Sequence, residues 1–547
     1  MQNPFVATFR LIRDCDRRGM RMKLLYTIII SLLPLVNLYI LKLLIDVVTN
    51  TANHTAGDVS SLMAYIVMFC AITLLTRWFN TLSGVNNDIL TQRLTDYING
   101  HIQQQSARLD MAYYDNPEFH DTLHRAQQEA AFRPIRILEN FVAVMGSVIS
   151  IAGVVAMLAV ASWKTVLVML VAVLPTFGVK LYKSRRIYRF RRQTTQAVRR
   201  SNYYGALLTH RNYAKEMRAF GLAPYMMKLY KSERSTLVTQ LLRISRRLAC
   251  YDVLTAVVEV AALALILLLL TKPVVVGAIT IGTFVMLFEA FRRGQGYLTT
   301  LVNGVSGLYE HKLFINNLFE FLELEPSIMS PAQPEAFPQT VDTIAFDDIT
   351  FAYPDMQHPV LQHFSLTARR GEVTPLRGEN GFGKTTLLKL LLRLYDPQQG
   401  AVRINGIDIR RFDIGELRLH VSALFQDYVQ FQFTAGDNIV FGDINHAADA
   451  KRIAQALRQS GAQEVVDGLS KGLDTQLGRM FDEGEELSMG QWQRIALARQ
   501  LYSEAPILVF DEPTAWMDAA ARRQFRATLE EIKENHIVLL VSHEEVD

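Results

Sequence analysis

Apolar residues crowd the first three hundred positions of this chain. Six stretches there, approximately 23–46, 60–83, 138–161, 163–183, 250–271 and 279–305, are long and apolar enough to cross a bilayer, which takes about 20 residues each. Between the second and third stretches, and again between the fourth and fifth, lie long polar segments without Gly/Pro clusters. Apolar residues recur in them at three- and four-residue spacing, as at Ile89, Leu90, Leu94, Tyr97 and Ile98, or Leu237, Leu241, Leu242 and Ile244. That period predicts helices that continue well beyond the membrane. Each segment is broken once. The first break is at Tyr114-Asp115-Asn116-Pro117-Glu118-Phe119, where Asn116 can cap and Pro117 can start a helix. The second is at Ala214–Gly221. From Pro326 to Pro338 four prolines mark a linker. Beyond it the pattern changes to short apolar runs alternating with amphipathic stretches, the mark of a soluble α/β domain.

The expected fold class is therefore an α-helical membrane domain with six long transmembrane helices, followed by an α/β domain. The boundaries fall at 1–325 for the membrane domain, 326–340 for the linker and 341–547 for the α/β domain. A chain of 547 residues is too long for one core, and the half of it that is hydrophobic lies mostly before residue 305. Net charge is only +4, but Lys and Arg are uneven. The Thr49–Asp58 loop has none, and the other two short loops carry only Lys164 and Lys272, whereas 84–137 and 180–247 are rich in arginine. By the positive-inside rule both long segments and both termini face the cytoplasm. The arginine-rich N-terminus, with Phe5, Phe9, Leu11 and Ile12, reads as an amphipathic surface helix and not as a cleaved signal. Basic residues track topology, so nucleic acid is excluded as a partner. Cys15, Cys70 and Cys250 have no metal or disulfide spacing and are expected to be buried thiols. Glu289, Arg292 and Arg293 fall inside the sixth stretch, with Arg77 in the second and Glu259 in the fifth. Glu289 can pair with either arginine along one helix, or these charges can line a polar pathway.

The candidate chemistry begins at Gly378-Glu379-Asn380-Gly381-Phe382-Gly383-Lys384-Thr385-Thr386, a G-x-x-x-x-G-K-T loop between a short apolar run and a helix-like stretch. Such a loop turns backbone N–H groups around phosphate oxygens. Its lysine reaches the β- and γ-phosphates and its Thr385 holds Mg²⁺. Ile507–Glu512 is a buried strand ending in two acids, Asp511 to hold Mg²⁺ and Glu512 to polarise the attacking water. Gln426 and His543 also end apolar strands. Ligands bind at the carboxyl ends of strands in open α/β sheets, so these groups should converge.

The ordered set resembles the ATP-binding cassette, and with six preceding spans the chain is similar to an ABC exporter half-transporter. The resemblance implies that Tyr353 stacks on adenine, that Gly378, Asn380, Gly381, Gly383, Lys384, Thr385 and Thr386 hold the ATP phosphates, and that Gln426 ligands Mg²⁺. It makes Leu487–Gln491 the signature motif, with Ser488, Gly490 and Gln491 set against a partner's ATP. It makes Asp518 the D-loop and His543 the switch histidine. It further implies a dimer, homo- or heterodimeric, in a bacterial plasma (inner) membrane, with ATP and Mg²⁺ as cofactors, lipid around it and an exported substrate. The stretches 115–119, 215–221 and 425–439 look like exporters of the lantibiotic and bacteriocin type, which implies a peptide cargo and places coupling helices near Asn116 and Glu216. Alternatives are a translocator of lipid or hydrophobic drugs, and a regulatory ATP-binding subunit with poor turnover. Three departures stand out: Met489 where the signature has glycine, Pro375 in an expected central strand, and an end at Asp547, four residues after His543, that shortens the cassette and exposes a sheet edge.

Overall fold

The computed structural model describes residues 4–52, 59–116, 123, 133–161, 163–354, 356, 358–378 and 382–542. It divides into two compact units. The first holds residues 1–107 and 122–323, and the second holds 108–121 and 324–547.

The first unit is helical. A short helix α1 (Pro4–Cys15) precedes six long ones among the described residues: α2 (Arg17–Ala52), α3 (Val59–Arg108), α5 (Arg133–Ala161), α6 (Trp163–Gln193), α9 (Ala223–Val275) and α10 (Ile281–Leu322). Helix α3 has 50 residues and α9 has 53. At 1.5 Å per residue each is about 75 Å long or more, over twice the roughly 30 Å of a hydrocarbon core. The three- and four-residue apolar periodicity of the polar segments produces this length, since Leu90, Leu94, Ile98 and Ile102 form a buried stripe beyond the apolar part of α3. Helices α7 (Thr195–Thr209) and α8 (Arg211–Ala219) complete the second polar segment, and Gly221, at φ +62°, makes the turn after α8. Helix α1 is not simply laid on a surface. Its Ile12 is fully buried and Phe9 meets Phe141 of α5 edge-on at 4.6 Å.

Five of the six long helices are apolar enough to span a membrane by composition, and α10 is not among them. Its apolar run is interrupted by Glu289, Arg292, Arg293 and Gln295. Its surroundings supply the reason it is tolerated. Met286, Leu287, Ala290, Phe291 and Leu298 are buried against residues of α2, α5, α6 and α9, so the apolar face of this helix is covered by protein. Its glycines permit the approach: a Cβ on Gly304 would lie 2.7 Å from Val144 Cγ2 and 3.1 Å from the Asn140 carbonyl oxygen. Small residues at such crossings let backbones come close. The intrahelical pairing of Glu289 is present, at 2.8 Å to Arg292 and 3.8 Å to Arg293. Cys70 and Cys250 are exposed on this chain, contrary to the expectation of buried thiols. Their apolar neighbourhoods on α3 and α9 face outward, as a membrane permits and water does not.

The second unit is built on two sheets. One is antiparallel, in the order β2 (Leu361–Arg369), β1 (Thr343–Phe351), β4 (Gln399–Ile404), β5 (Ile407–Asp408). The other is parallel, in the order β3 (Val373–Leu376), β8 (Ile537–Val541), β7 (Ile507–Asp511), β6 (Val421–Leu424). All five residues of β7 and of β8 are buried, as strands covered on both faces must be. Pro375 stands in β3, which is an edge strand among the described residues and not a central one. Proline is tolerated at an edge, where one flank has no ladder to supply. Residues 324–342 form no free tether. Ser330 Oγ donates to Asp413 and Ile328 N–H to Asp110, which precedes the short helix α4 (Met111–Asp115).

A Gly304→Val substitution is expected to cost about 1–3 kcal/mol of overpacking and to lower the thermal midpoint of the full chain in nanodiscs. Gly296→Val is its control, because a Cβ there meets nothing within 4 Å and the midpoint should stay close to wild type.

Candidate functional site

The phosphate loop links β3 to helix α11 (Lys384–Leu391). Gly383 caps that helix at φ +86°, where a Cβ would come within 2.9 Å of Leu361 and 3.0 Å of Val360. Only glycine meets both conditions. Lys384 is buried and its Nζ donates to the Gly378 carbonyl at 2.9 Å, so the ammonium is folded across the loop. Glu379, Asn380 and Gly381 lie outside the described residues, as does His543.

The adjacent strand end supplies the acids. Thr385 Oγ1 donates to Asp511 Oδ2 at 2.8 Å. Burial raises the Asp511 pKa, opposed by the Thr385 hydrogen bond and reinforced by the charge of Glu512. A buried carboxylate next to a hydroxyl oxygen, with a second carboxylate beside it, is a donor set for a hard divalent cation. Glu512 adopts φ +49°. Its N–H donates to the Val541 carbonyl at 3.1 Å, and its own carbonyl accepts from Gln493 Nε2 at 3.4 Å. This unusual backbone, held from both sides, sets the carboxylate where Gln426 Nε2 reaches it at 2.8 Å. Lys384, Thr385, Gln426, Asp511 and Glu512 thus form one cluster at the carboxyl ends of the parallel strands.

Tyr353 lies beside this cluster. Its hydroxyl is 3.0 Å from Thr386 Oγ1, and Lys389 Nζ sits 5.1 Å from the ring centroid. Sequence reasoning missed its neighbour Tyr395, whose ring packs edge-on against Tyr353 at 5.3 Å and whose hydroxyl donates to Asp115. That bond and burial push the Tyr395 pKa well up. Arg499 was also missed. It is fixed by the Asn438 side chain and carbonyl at 2.7 and 2.9 Å, and burial pushes its pKa down to about 10. Neither residue belongs to a motif that local spacing reveals.

Ser488, Gly490 and Gln491 form a separate group at the start of helix α16 (Met489–Tyr502). Ser488 Oγ accepts from Gln491 N–H at 3.3 Å, and Gln491 Oε1 accepts from Ser488 N–H at 2.8 Å, a complete capping box. Asp518 caps the helix at Ala519–Ile532, accepting from Ala521 N–H at 2.8 Å, and lies 3.6 Å from Arg494. No hydrogen bond among the described residues ties Ser488 or Gln491 to the phosphate loop. Met489 does not strain the turn, because it is the first helical residue and has no positive φ. Its carbonyl accepts from the Tyr428 hydroxyl at 2.9 Å and its side chain is exposed. The steric demand falls on Gly490, where a Cβ would lie 2.8 Å from the Trp516 carbonyl oxygen.

Two family descriptions match the chain: the ABC transporter transmembrane region over residues 21–293 and the ABC transporter over residues 361–515. The chain belongs to the ABC transporters. It is an exporter half-transporter that couples ATP hydrolysis to transport, and such a half works paired with another chain. It is 26% identical to the subtilin transport ATP-binding protein SpaT of Bacillus subtilis, over 98% of this chain and 86% of that protein. It is 25% identical to the nisin transport ATP-binding protein NisT of Lactococcus lactis subsp. lactis, over 98% and 88%. An ATP-dependent lipid A-core flippase of Methylobacillus flagellatus is 33% identical over 54% of this chain and 50% of its own length. A bacterial Atm1-family ABC exporter, solved with ATP bound, shares the fold with a TM-score of 0.78 over 96% of this chain and 91% of that one, at 20% identity.

Because burial penalises the ionised Asp511, an Asp511→Asn variant of this ABC exporter is expected to melt higher than wild type at neutral pH without nucleotide or divalent cation. The same variant should lose the stabilisation that MgATP confers on wild type. Thermal unfolding with and without MgATP reads both effects.

Proposed function

We propose that this chain exports a peptide of the lantibiotic type from the cytoplasm, as one half of a dimer in a bacterial inner membrane. The carrying observation is that its similarity to the subtilin and nisin transporters runs through 98% of its length, membrane domain included. A second observation supports peptide over lipid or drug. The membrane unit contains a cavity of about 600 Å³ lined by Lys180, Lys183, Asp252, Glu259, Asn303 and Glu310. Both signs of charge and an amide suit a charged peptide better than acyl chains or a hydrophobic drug.

In this reading the phosphate-loop amides and Lys384 bind the ATP phosphates, with Gly378, Asn380, Gly381, Gly383 and Thr386 shaping the loop. Tyr353 packs on the adenine. Thr385, Asp511 and Gln426 hold Mg²⁺, which when bound neutralises charge on the phosphates. Glu512 orients the attacking water and takes its proton, with Gln426 positioning the carboxylate and His543 completing the site. Ser488, Gly490 and Gln491 are separate from this cluster because they serve the partner's nucleotide, with Asp518 beside them. The arginine distribution supports a cytoplasmic position for both termini and the cassette.

Glu512→Gln is expected to lower ATPase turnover in nanodiscs by at least about a hundredfold, the usual scale for losing a general base. Gly490→Ala should remove most activity, while Met489→Gly should change it less than about twofold; a large gain from Met489→Gly would show that the methionine obstructs the site. Cargo is decided in inside-out proteoliposomes supplied with a nisin-type peptide or a fluorescent phospholipid. ATP-dependent uptake of the peptide alone supports the proposal, and movement of the phospholipid alone refutes it.

A further inference from the structure

A second cavity in the membrane unit, of about 430 Å³, is lined by Asn37, Thr73, Thr76, Arg77, Asn80 and Arg293, with further contacts from its neighbours. It contains no carboxylate among its described lining residues. Arg293 donates to the Pro34 carbonyl at 3.3 Å and lies 3.8 Å from Glu289, which is already engaged by Arg292 at 2.8 Å. Arg77 has no hydrogen bond or ion pair for its guanidinium among the described residues. The Thr73, Thr76 and Thr81 hydroxyls donate to carbonyls of their own helix. Asn37 donates to Thr73 Oγ1 at 3.2 Å, and its Oδ1 is buried without a partner. Three guanidiniums and one carboxylate leave this region with two excess positive charges. Arg77 lies in a helix apolar enough to cross a bilayer, with Arg293 in the same cavity wall, and unneutralised charge in such a setting is costly and marks a transport path.

We propose that Arg77 and Arg293 form an anion site that takes a carboxylate group of the cargo as it crosses the membrane; the cargo part rests on the peptide reading above. Guanidinium forks match a carboxylate in geometry and charge. The site is distinct in chemistry from the mixed-charge cavity at Lys180 and Glu259. Together they let one membrane unit recognise opposite charges on one amphiphile.

The test measures binding of N-dodecanoyl-glutamate to the full chain in phosphatidylcholine nanodiscs. Wild type should bind it at least tenfold more tightly than Arg77→Gln or Arg293→Gln, and Arg77→Lys, which keeps the charge but not the fork, should fall between them. The uncharged diamide of the probe should bind every protein at the level of the glutamine variants. Equal affinity of wild type and both glutamine variants overturns the site, and an unchanged thermal midpoint of the glutamine variants separates a loss of binding from misfolding. In phosphatidylglycerol nanodiscs, retention of that lipid by wild type in place of the probe, lost in Arg77→Gln, overturns the cargo assignment in favour of a lipid site. Arginine-dependent probe binding in a protein that moves no nisin-type peptide sustains the anion site and removes only the peptide reading.

Discussion

A carboxylate buried at the end of a strand that is apolar on both faces has to be neutralised or bonded. Asp511 is 3% exposed, and its bond to Thr385 ties the helix that follows the phosphate loop to the middle of the parallel sheet. The rest of the site follows from that junction. Val541 of β8 receives the Glu512 N–H, Glu512 turns back in a left-handed conformation, and Gln426 at the end of β6 meets it. Three strands in register thus deliver their carboxyl ends to one place, and the cost of burying the Asp511 charge is the feature a bound cation would offset.

A line of side chains connects this junction to residues 108–116, which belong to the second unit. Asp115 accepts from Tyr395, Tyr395 packs on Tyr353, and Tyr353 bonds Thr386 next to Thr385. Residues 108–116 fall between helices of the first unit along the chain, yet group with the second unit. A displacement of Asp115 therefore bears on aromatic rings that touch the phosphate-loop helix. Such a packed chain is the kind of element through which two sites can bias one another.

In the membrane unit the governing constraint is where charge can be placed. The helix with the most charge, Ile281–Leu322, has its apolar face buried among its neighbours, and Glu289 pairs with Arg292 within one turn of that helix. Helix Val59–Arg108 shows the opposite arrangement. None of its most apolar window is buried in this chain, and Arg77 has no ion pair among the described residues. A half-transporter leaves such faces for the membrane and a second chain. Exposure of Cys70 and Cys250 has the same origin.

What the sequence determined by itself is what depends on local pattern. Apolar runs set the spans, arginine asymmetry set the expected topology, and the glycine spacing at 378–383, the acids after Ile507–Phe510 and the capping signal at Ser488 marked the cassette, because each is written in consecutive residues. Tertiary structure decided what depends on neighbours distant in the chain. It put Pro375 on an edge strand among the described residues, located the close approach of the signature at Gly490, and brought Tyr395 to Asp115 and Arg499 to Asn438. It also separated Arg77, left open, from Arg292, paired within its own turn. Partners 61 to 280 residues apart leave no periodicity to read, since side-chain contact across elements is fixed by packing and not by spacing along the chain.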